Sequence, residues 1–370
     1  MNLPYSDELN TGLLSRLFEN TSECYKLFWF KAIVTAVGKG KEDLTYEELI
    51  DKMISDAWYM VTEYHLNLGP RDNLEAVIEL IKSKNPELKS SEKESVIIDY
   101  LTNTDDKDIN KKKQVLTYNV PYRLQAPFLS DIKGNEWGGP KSDLACKINQ
   151  EERLIYYFDA VNGLSTKIRI HEDWANYIKK NKEILLGWIE YHMILYLQKK
   201  NPSVPGIADK LSPPQERKLE RVKKYWKIVL SASPIREIYD NRILKENDIS
   251  IDHFVPWSYV AHDELWNLSP TTKDINSSKS NCLPVWNTYF PKLAKLEYQS
   301  YSLMWQNDLI HKEFMRCSKE HINNDDIRHR LYREGLRYKD FEKELESIIL
   351  PVYNAAHESG FEGNWEYIEK

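Results

Sequence analysis

The polar segment SIDHFVPWSYVAHDELWNLSPTTKDINSSKSNCLP contains a carboxylate, an imidazole and an amide that could together catalyse a reaction. Asp252 and His253 are adjacent near its start, and Asn276 follows further along. Carboxylate and amide oxygens are hard ligands, which suit Mg²⁺ or Mn²⁺ better than zinc. An imidazole titrates near neutral pH and can take a proton from an attacking water. A metal beside it would polarise a phosphoryl oxygen and stabilise the leaving 3′-oxygen, so the segment favours single-metal phosphodiester hydrolysis.

Basic residues near this segment indicate where phosphates would bind. Lys279 and Ser280 follow Asn276 closely and are predicted to hold an adjacent phosphate. The preceding stretch Pro214–Lys245 has nine basic residues against four acidic ones. That run is either a solvated helix face or a DNA-binding surface. In the second interpretation the predicted DNA contacts include Lys223, Lys224, Lys227 and Arg242.

A strand–strand–helix unit is expected to position these groups. Ile235–Tyr239 and Ile249–Phe254 are short β-prone runs joined by a polar turn, which predicts a hairpin. Ser269 as a cap and Pro270 at the first helical position predict a helix start. His253 would then lie on the second strand, and Asn276 on the helix that packs across it.

The segment resembles the HNH nucleases, also called the ββα-metal or His-Me finger family. It is most similar to the zinc-free HNH domain of RNA-guided CRISPR effector nucleases, with its pattern D-H-x-x-P-x-S, an Asn, then N-x-x-K-S. The resemblance covers residues 225–284. The matching positions are Asp252, His253, Pro256, Ser258, Asn267, Asn276, Lys279 and Ser280.

The resemblance implies roles for four of these residues. His253 would be the general base, and Asp252 and Asn276 would bind Mg²⁺ or Mn²⁺. Asn267 would brace the loop and orient His253. Two features depart from many family members: CxxC zinc pairs are absent, so no structural zinc is expected, and Asn276 stands where a second metal-binding histidine often lies.

The chain as a whole is expected to be α+β and mostly helical. A helical N-terminal domain over residues 1–213 would contain a small β-hairpin around Asn162-Gly163. The finger would occupy residues 214–300, and C-terminal helices over 301–370 would buttress it. The proline-rich stretch Lys199–Lys218 predicts the domain boundary. Helices are predicted over Leu44–His65 and from Asn73, and a polar loop over Thr102–Lys113.

Composition limits the class of protein. The 370 residues carry a net charge of −6, so any contact with nucleic acid must be local or supplied by a partner. Apolar runs are too short or too charged for a membrane span, and no signal peptide is evident. Four scattered cysteines argue against a disulfide framework, so a cytoplasmic protein is expected.

The function that these features predict is Mg²⁺-dependent DNA cleavage leaving 5′-phosphate ends, in bacterial restriction or anti-phage defence. An activator or partner protein is expected, because an acidic chain should cut poorly by itself. A homodimer would supply two active sites for double-strand breaks. Two alternatives stay open: a non-cutting nucleic-acid-binding subunit of a larger complex, and a mobile-element homing nuclease.

Overall fold

The computed structural model describes residues 3–19, 21–70, 72–213 and 219–368. The chain divides into two compact units, the first comprising residues 1–202 with 210–213, and the second 203–209 with 214–370. The predicted start of the nuclease domain, at residues 214–218, lies outside the described residues. None of the described helices is long and apolar enough to cross a membrane.

The first unit is a set of helices around a small three-stranded sheet. Strands β1 (Asp43–Thr45), β2 (Tyr156–Phe158) and β3 (Lys167–Ile170) are antiparallel in the order β1-β3-β2. The predicted hairpin is therefore confirmed, and β1 adds a strand that the sequence did not indicate. The helices are α1 (Thr11–Leu14), α2 (Tyr25–Gly38), α3 (Tyr46–Thr62), α4 (Asn73–Lys84), α5 (Glu94–Asn103), α6 (Lys107–Leu116), α7 (Val120–Arg123), α8 (Lys141–Ile148) and α9 (Glu172–Lys200).

Local capping explains where two predicted helices begin. The Thr45 side chain accepts from the Glu48 backbone N–H while Glu48 accepts from that of Thr45, a capping box that starts α3. Asp72 accepts from the N–H groups of Leu74 and Glu75 at the start of α4. Both helix predictions are confirmed.

The predicted polar loop over Thr102–Lys113 is wrong. Most of it is helical, forming the end of α5 and the first turns of α6. The Asp106 carboxylate caps α6. Ile109 and Lys113 are buried, and the Lys113 ammonium lies 2.7 Å from Asp51. A tertiary ion pair thus stabilises a helix whose sequence is mostly polar.

The second unit contains the predicted finger within a helical frame. Strands β4 (Ser250–His253) and β5 (Leu268–Thr271) form an antiparallel pair. The predicted fold class, α+β and mostly α, is confirmed. The helices are α10 (Glu220–Ala232), α11 (Trp257–Val260), α12 (Lys273–Lys279), α13 (Trp286–Gln306), α14 (Asp308–His321), α15 (Asp325–Leu331) and α16 (Tyr338–Glu358). Across both units, short 3₁₀ helices lie at Ala126–Phe128, Gly134–Gly138, Gly163–Ser165, Ile207–Lys210, Glu246–Asp248 and Leu265–Asn267.

The strand pairing of the finger differs from the predicted hairpin. Ile235–Tyr239 does not pair with β4 but turns back on the residues that follow it, with an isolated bridge between Arg236 and Ile243. Glu237 holds this turn, since its carboxylate accepts from two backbone N–H groups and from the hydroxyl of Thr271. β4 instead pairs with β5, which lies further along the chain.

The predicted helix start at Ser269-Pro270 is also wrong. Both residues lie in β5, and α12 begins only after Thr272. Proline lacks a backbone N–H. In a two-stranded sheet each strand has one unpaired edge, and at that edge no backbone donor is needed. Ladder bonds to β4 therefore prevail over the helix-start pattern.

Helices around the finger hold it in place. Trp226 on α10 is buried and donates its indole N–H to the Leu268 carbonyl of β5. α13 packs against α14 and α16. α16 runs continuously through Pro351.

A buried acid in this frame leads to a stability prediction. Glu297 on α13 is 4% exposed, and within the described chain its Oε1 has no hydrogen-bond partner. Burial raises the pKa of this carboxyl well above its ordinary value. The folded protein thus binds the proton more tightly than the unfolded chain, so stability falls as pH rises above the unfolded pKa.

Glu297→Gln is expected to stabilise the protein at pH 8 by about 1–3 kcal/mol, and to flatten the decline of Tm between pH 5 and pH 8. Thermal melts at both pH values check this, with the exposed Glu334→Gln as the control. A variant that melts below the wild type at pH 8 would contradict the assignment.

Candidate active site

Asp252 and His253 are the last two residues of β4. They pair across the sheet with Ser269 and Leu268. Asp252 is 3% exposed and His253 5% exposed. A buried carboxylate must be hydrogen-bonded or ion-paired to be stable, so its partners define the site.

Two buried groups hold the Asp252 carboxylate. The Lys279 ammonium lies 3.1 Å from Asp252 Oδ1, and the Tyr239 hydroxyl donates to Oδ2 at 2.7 Å. Burial, and then the Asp252 charge, raise the pKa of Tyr239, so the phenol stays protonated and remains a donor. Each carboxylate oxygen thus accepts one hydrogen bond and keeps further lone-pair capacity.

Lys279 has a different place from the one predicted for it. Its side chain is 0% exposed, and its ammonium also donates to the His253 carbonyl at 2.6 Å. An ammonium enclosed in this way cannot reach a phosphate, so the structure disagrees with the predicted phosphate contact. Lys279 instead joins α12 to the end of β4 and fixes both site residues.

His253 is oriented by a carboxylate. Its Nε2 lies 2.8 Å from Asp263 Oδ1. When Nε2–H donates to Asp263, the neutral ring carries its basic lone pair on Nδ1. The C-terminal helices secure the acid, since His321 at the end of α14 contacts the Asp263 carbonyl at 2.7 Å.

Asn267 brackets the chain just after His253. Its Oδ1 accepts from the Val255 N–H and its Nδ2 donates to the Val255 carbonyl, both at 2.8 Å. The Asn267 carbonyl also accepts from the Phe254 N–H. These bonds stabilise the loop geometry that the family resemblance implied for Asn267. The role that the resemblance implies for Asn267, bracing the loop and orienting His253, stays a prediction.

Asn276 connects α12 to β4. Its Nδ2 donates to the Ser250 hydroxyl at 2.9 Å and to the Ile251 carbonyl at 3.1 Å. The amide therefore lies beside the strand that carries Asp252, with its nitrogen committed. Oδ1 is the atom that a cation would use.

This donor set fits a hard divalent cation. Mg²⁺ and Mn²⁺ take oxygen ligands, and Mg²⁺ is commonly bound by one or two protein oxygens with water and phosphate completing the shell. Asp252 and Asn276 supply such oxygens. Within the described ranges, no three His, Cys, Asp or Glu side chains group as a metal site would need. The metal-ligand roles of Asp252 and Asn276 stay a prediction.

The other predicted DNA-binding residues differ in how they are engaged. Lys224 pairs with Glu313 at 3.1 Å, and Arg242 pairs with Asp240 and Asp274. Lys223 and Lys227 on α10 are half-buried and, in the part of the chain that is described, have no carboxylate partner. Ser280 is exposed at the end of α12, where it can reach solvent or a phosphate.

Sequence reasoning missed Tyr239 and Asp263. Tyr239 lay in a run interpreted as a strand, and Asp263 in a loop with no spacing pattern. An acid ten residues after the candidate base was the only available signal for Asp263.

Asp263→Asn is expected to lower the cleavage rate about 10–100-fold, because the amide cannot fix the same ring tautomer. DNA affinity and Tm should change little, since Asp263 is partly exposed. Single-turnover cleavage with parallel binding and melting curves checks this. Equal cleavage rates in the variant and the wild type would show that Asp263 does not assist His253.

Comparison with known proteins identifies a family for this segment. Residues 236–285 match the family model described as HNH endonuclease, and the match spans Tyr239, Asp252, His253, Asn267 and Asn276. No curated protein and no solved structure matches the chain. The second compact unit therefore carries an HNH endonuclease domain at residues 236–285.

Proposed function

We propose that this protein is a metal-dependent endonuclease that hydrolyses DNA phosphodiester bonds and leaves 5′-phosphate ends. The observation that carries the proposal is the arrangement at the end of β4. His253, paired with Asp263, directly follows the buried Asp252, and the Asn276 amide of α12 is hydrogen-bonded to the same strand. A purely structural strand end would not need this set of polar groups.

The side chains divide the chemistry between them. His253, oriented by Asp263, takes the proton from the attacking water at Nδ1. Lys279 and Tyr239 hold the Asp252 carboxylate in one orientation. Asn267 fixes the loop after His253, so the ring does not swing away between turnovers.

Asp252 and Asn276 would hold Mg²⁺ or Mn²⁺, which when bound stabilises negative charge on the phosphate and on the leaving 3′-oxygen. The exposed Ser280 hydroxyl is available to a neighbouring phosphate. Lys223 and Lys227 are proposed to contact the DNA backbone more distantly.

The first compact unit is proposed to supply recognition or regulation. A net charge of −6 disfavours indiscriminate DNA binding, so an activator or partner protein is proposed to direct cleavage. This fits a restriction or anti-phage defence role. Because the described finger has one His253–Asp263 pair, double-strand breaks would need a homodimer or two successive nicks.

A supercoiled-plasmid assay tests the proposal. Wild-type protein is incubated with plasmid in Mg²⁺, Mn²⁺ or EDTA, alongside His253→Ala. Metal-dependent nicking or linearisation that disappears in the variant supports the proposal. An intact plasmid in every metal, also with phage DNA and neighbouring gene products added, would favour a non-cutting domain.

A further inference from the structure

A basic groove lies in the second unit, beside the turn that carries Tyr239. It has a volume of about 570 Å³ and lies between that turn and the exposed side of α13. Its polar lining comes mainly from Arg236, Asn241, Lys292, Lys295 and Gln299. The groove is absent from the sequence predictions, because its cations come from two separate segments.

The groove has three positively charged side chains. Across the described residues, Arg236, Lys292 and Lys295 form no ion pair with a carboxylate. Arg236 donates to the Asn241 carbonyl within its own turn. The Lys292 ammonium lies 5.0 Å from the centre of the Tyr289 ring. The contrast is with Lys224 and Arg242, whose charges are neutralised by neighbouring acids.

The acid in the lining does not cancel this charge. Glu237 is buried, and its carboxylate accepts hydrogen bonds from Tyr239, Asp240 and Thr271. Its oxygens are therefore hydrogen-bonded within the protein, and the lining has three cations against this one acid. Three cations around one open concavity, on a chain that is acidic overall, favour a polyanionic occupant.

Contacts link the groove to the active site through one layer of aromatic rings. Lys292 lies over Tyr289, whose ring centroid is 5.1 Å from that of Tyr239. Tyr239 in turn donates to Asp252. Two packed tyrosine rings and one hydrogen bond thus connect a groove cation to Asp252.

We propose that this groove binds the sugar-phosphate backbone of the nucleic acid substrate outside the scissile phosphate. The inference rests on the proposed function and names the surface that holds its substrate. Arg236, Lys292 and Lys295 contact phosphates, and the side-chain amide of the exposed Asn241 is available to phosphate or sugar oxygens. Binding through phosphates carries little sequence preference.

The test compares two triple variants in the His253→Ala background, so that DNA is bound without being cut. One is Arg236→Gln/Lys292→Gln/Lys295→Gln. The matched control is Lys319→Gln/Lys339→Gln/Lys343→Gln, which removes the same charge from exposed helix positions outside the groove. Binding of a labelled random duplex, and of the same strand alone, is measured in Mg²⁺ over a salt series.

The groove variant is expected to bind DNA about 10–100-fold more weakly, with the slope of log K against log salt reduced by about 2–3. In the active background its loss of cleavage should fall mainly on KM. The control should change both quantities much less. Melting curves establish that each variant is folded.

Other results distinguish the groove inference from the proposed function. If the folded groove variant binds DNA like the control while the wild type cuts plasmid, the groove inference is overturned and the proposed function stands. If the wild type neither binds nor cuts any DNA, both are overturned. Unchanged DNA binding together with loss of a protein partner would assign the groove to protein docking and also overturn the inference.

Discussion

Replacing His253 with alanine is expected to lower the DNA cleavage rate by about 10²–10⁴-fold, the usual contribution of a positioned general base. The ring is 5% exposed and lies 2.8 Å from the Asp263 carboxylate, so the substitution removes both the proposed base and the partner of Asp263. Single-turnover cleavage of plasmid in Mg²⁺ measures the effect. DNA affinity should be nearly unchanged, because the imidazole acts on the water.

A rescue experiment distinguishes lost chemistry from lost structure. The alanine leaves a space next to the Asp263 carboxylate, and added imidazole should restore part of the rate in a concentration-dependent way. Imidazole should not accelerate the wild type. If His253→Ala cuts as fast as the wild type, the base lies elsewhere and the assignment is wrong.

Asp252→Asn is expected to abolish cleavage and weaken metal binding together. The amide retains the size of the carboxylate but loses its charge, and with it most of its attraction for Mg²⁺ or Mn²⁺. It also leaves the Lys279 ammonium buried and uncompensated. Removal of one member of a buried pair costs about 3–5 kcal/mol, so a lower Tm is expected as well.

A second substitution separates these effects. Asp252→Asn/Lys279→Met removes the buried charge and should recover much of the lost stability without recovering cleavage or Mn²⁺ affinity. Calorimetric titration with Mn²⁺, plasmid cleavage and thermal melts are compared, with the exposed Asp248→Asn as the control. An Asp252→Asn protein that binds Mn²⁺ and cuts normally would exclude Asp252 as a metal ligand.

Residue types and short spacings determined the chemistry that this chain suggests. The sequence identifies two hard oxygen ligands, Asp252 and Asn276, and a base, His253. This assignment does not depend on which strands pair, because metal preference is a property of the side chain itself. The start of α3 was equally accessible, since the Thr45–Glu48 capping box depends on residues three apart. Local signals of this kind need no knowledge of the fold.

Only the tertiary structure decided how these groups are held. β4 and β5 have four residues each, too few for an alternating pattern to specify their pairing. Lys279 looked like a phosphate ligand because nothing local shows that α12 buries it against Asp252. Tyr239 and Asp263 act through contacts across turns and loops, where distance in sequence carries no information about distance in space.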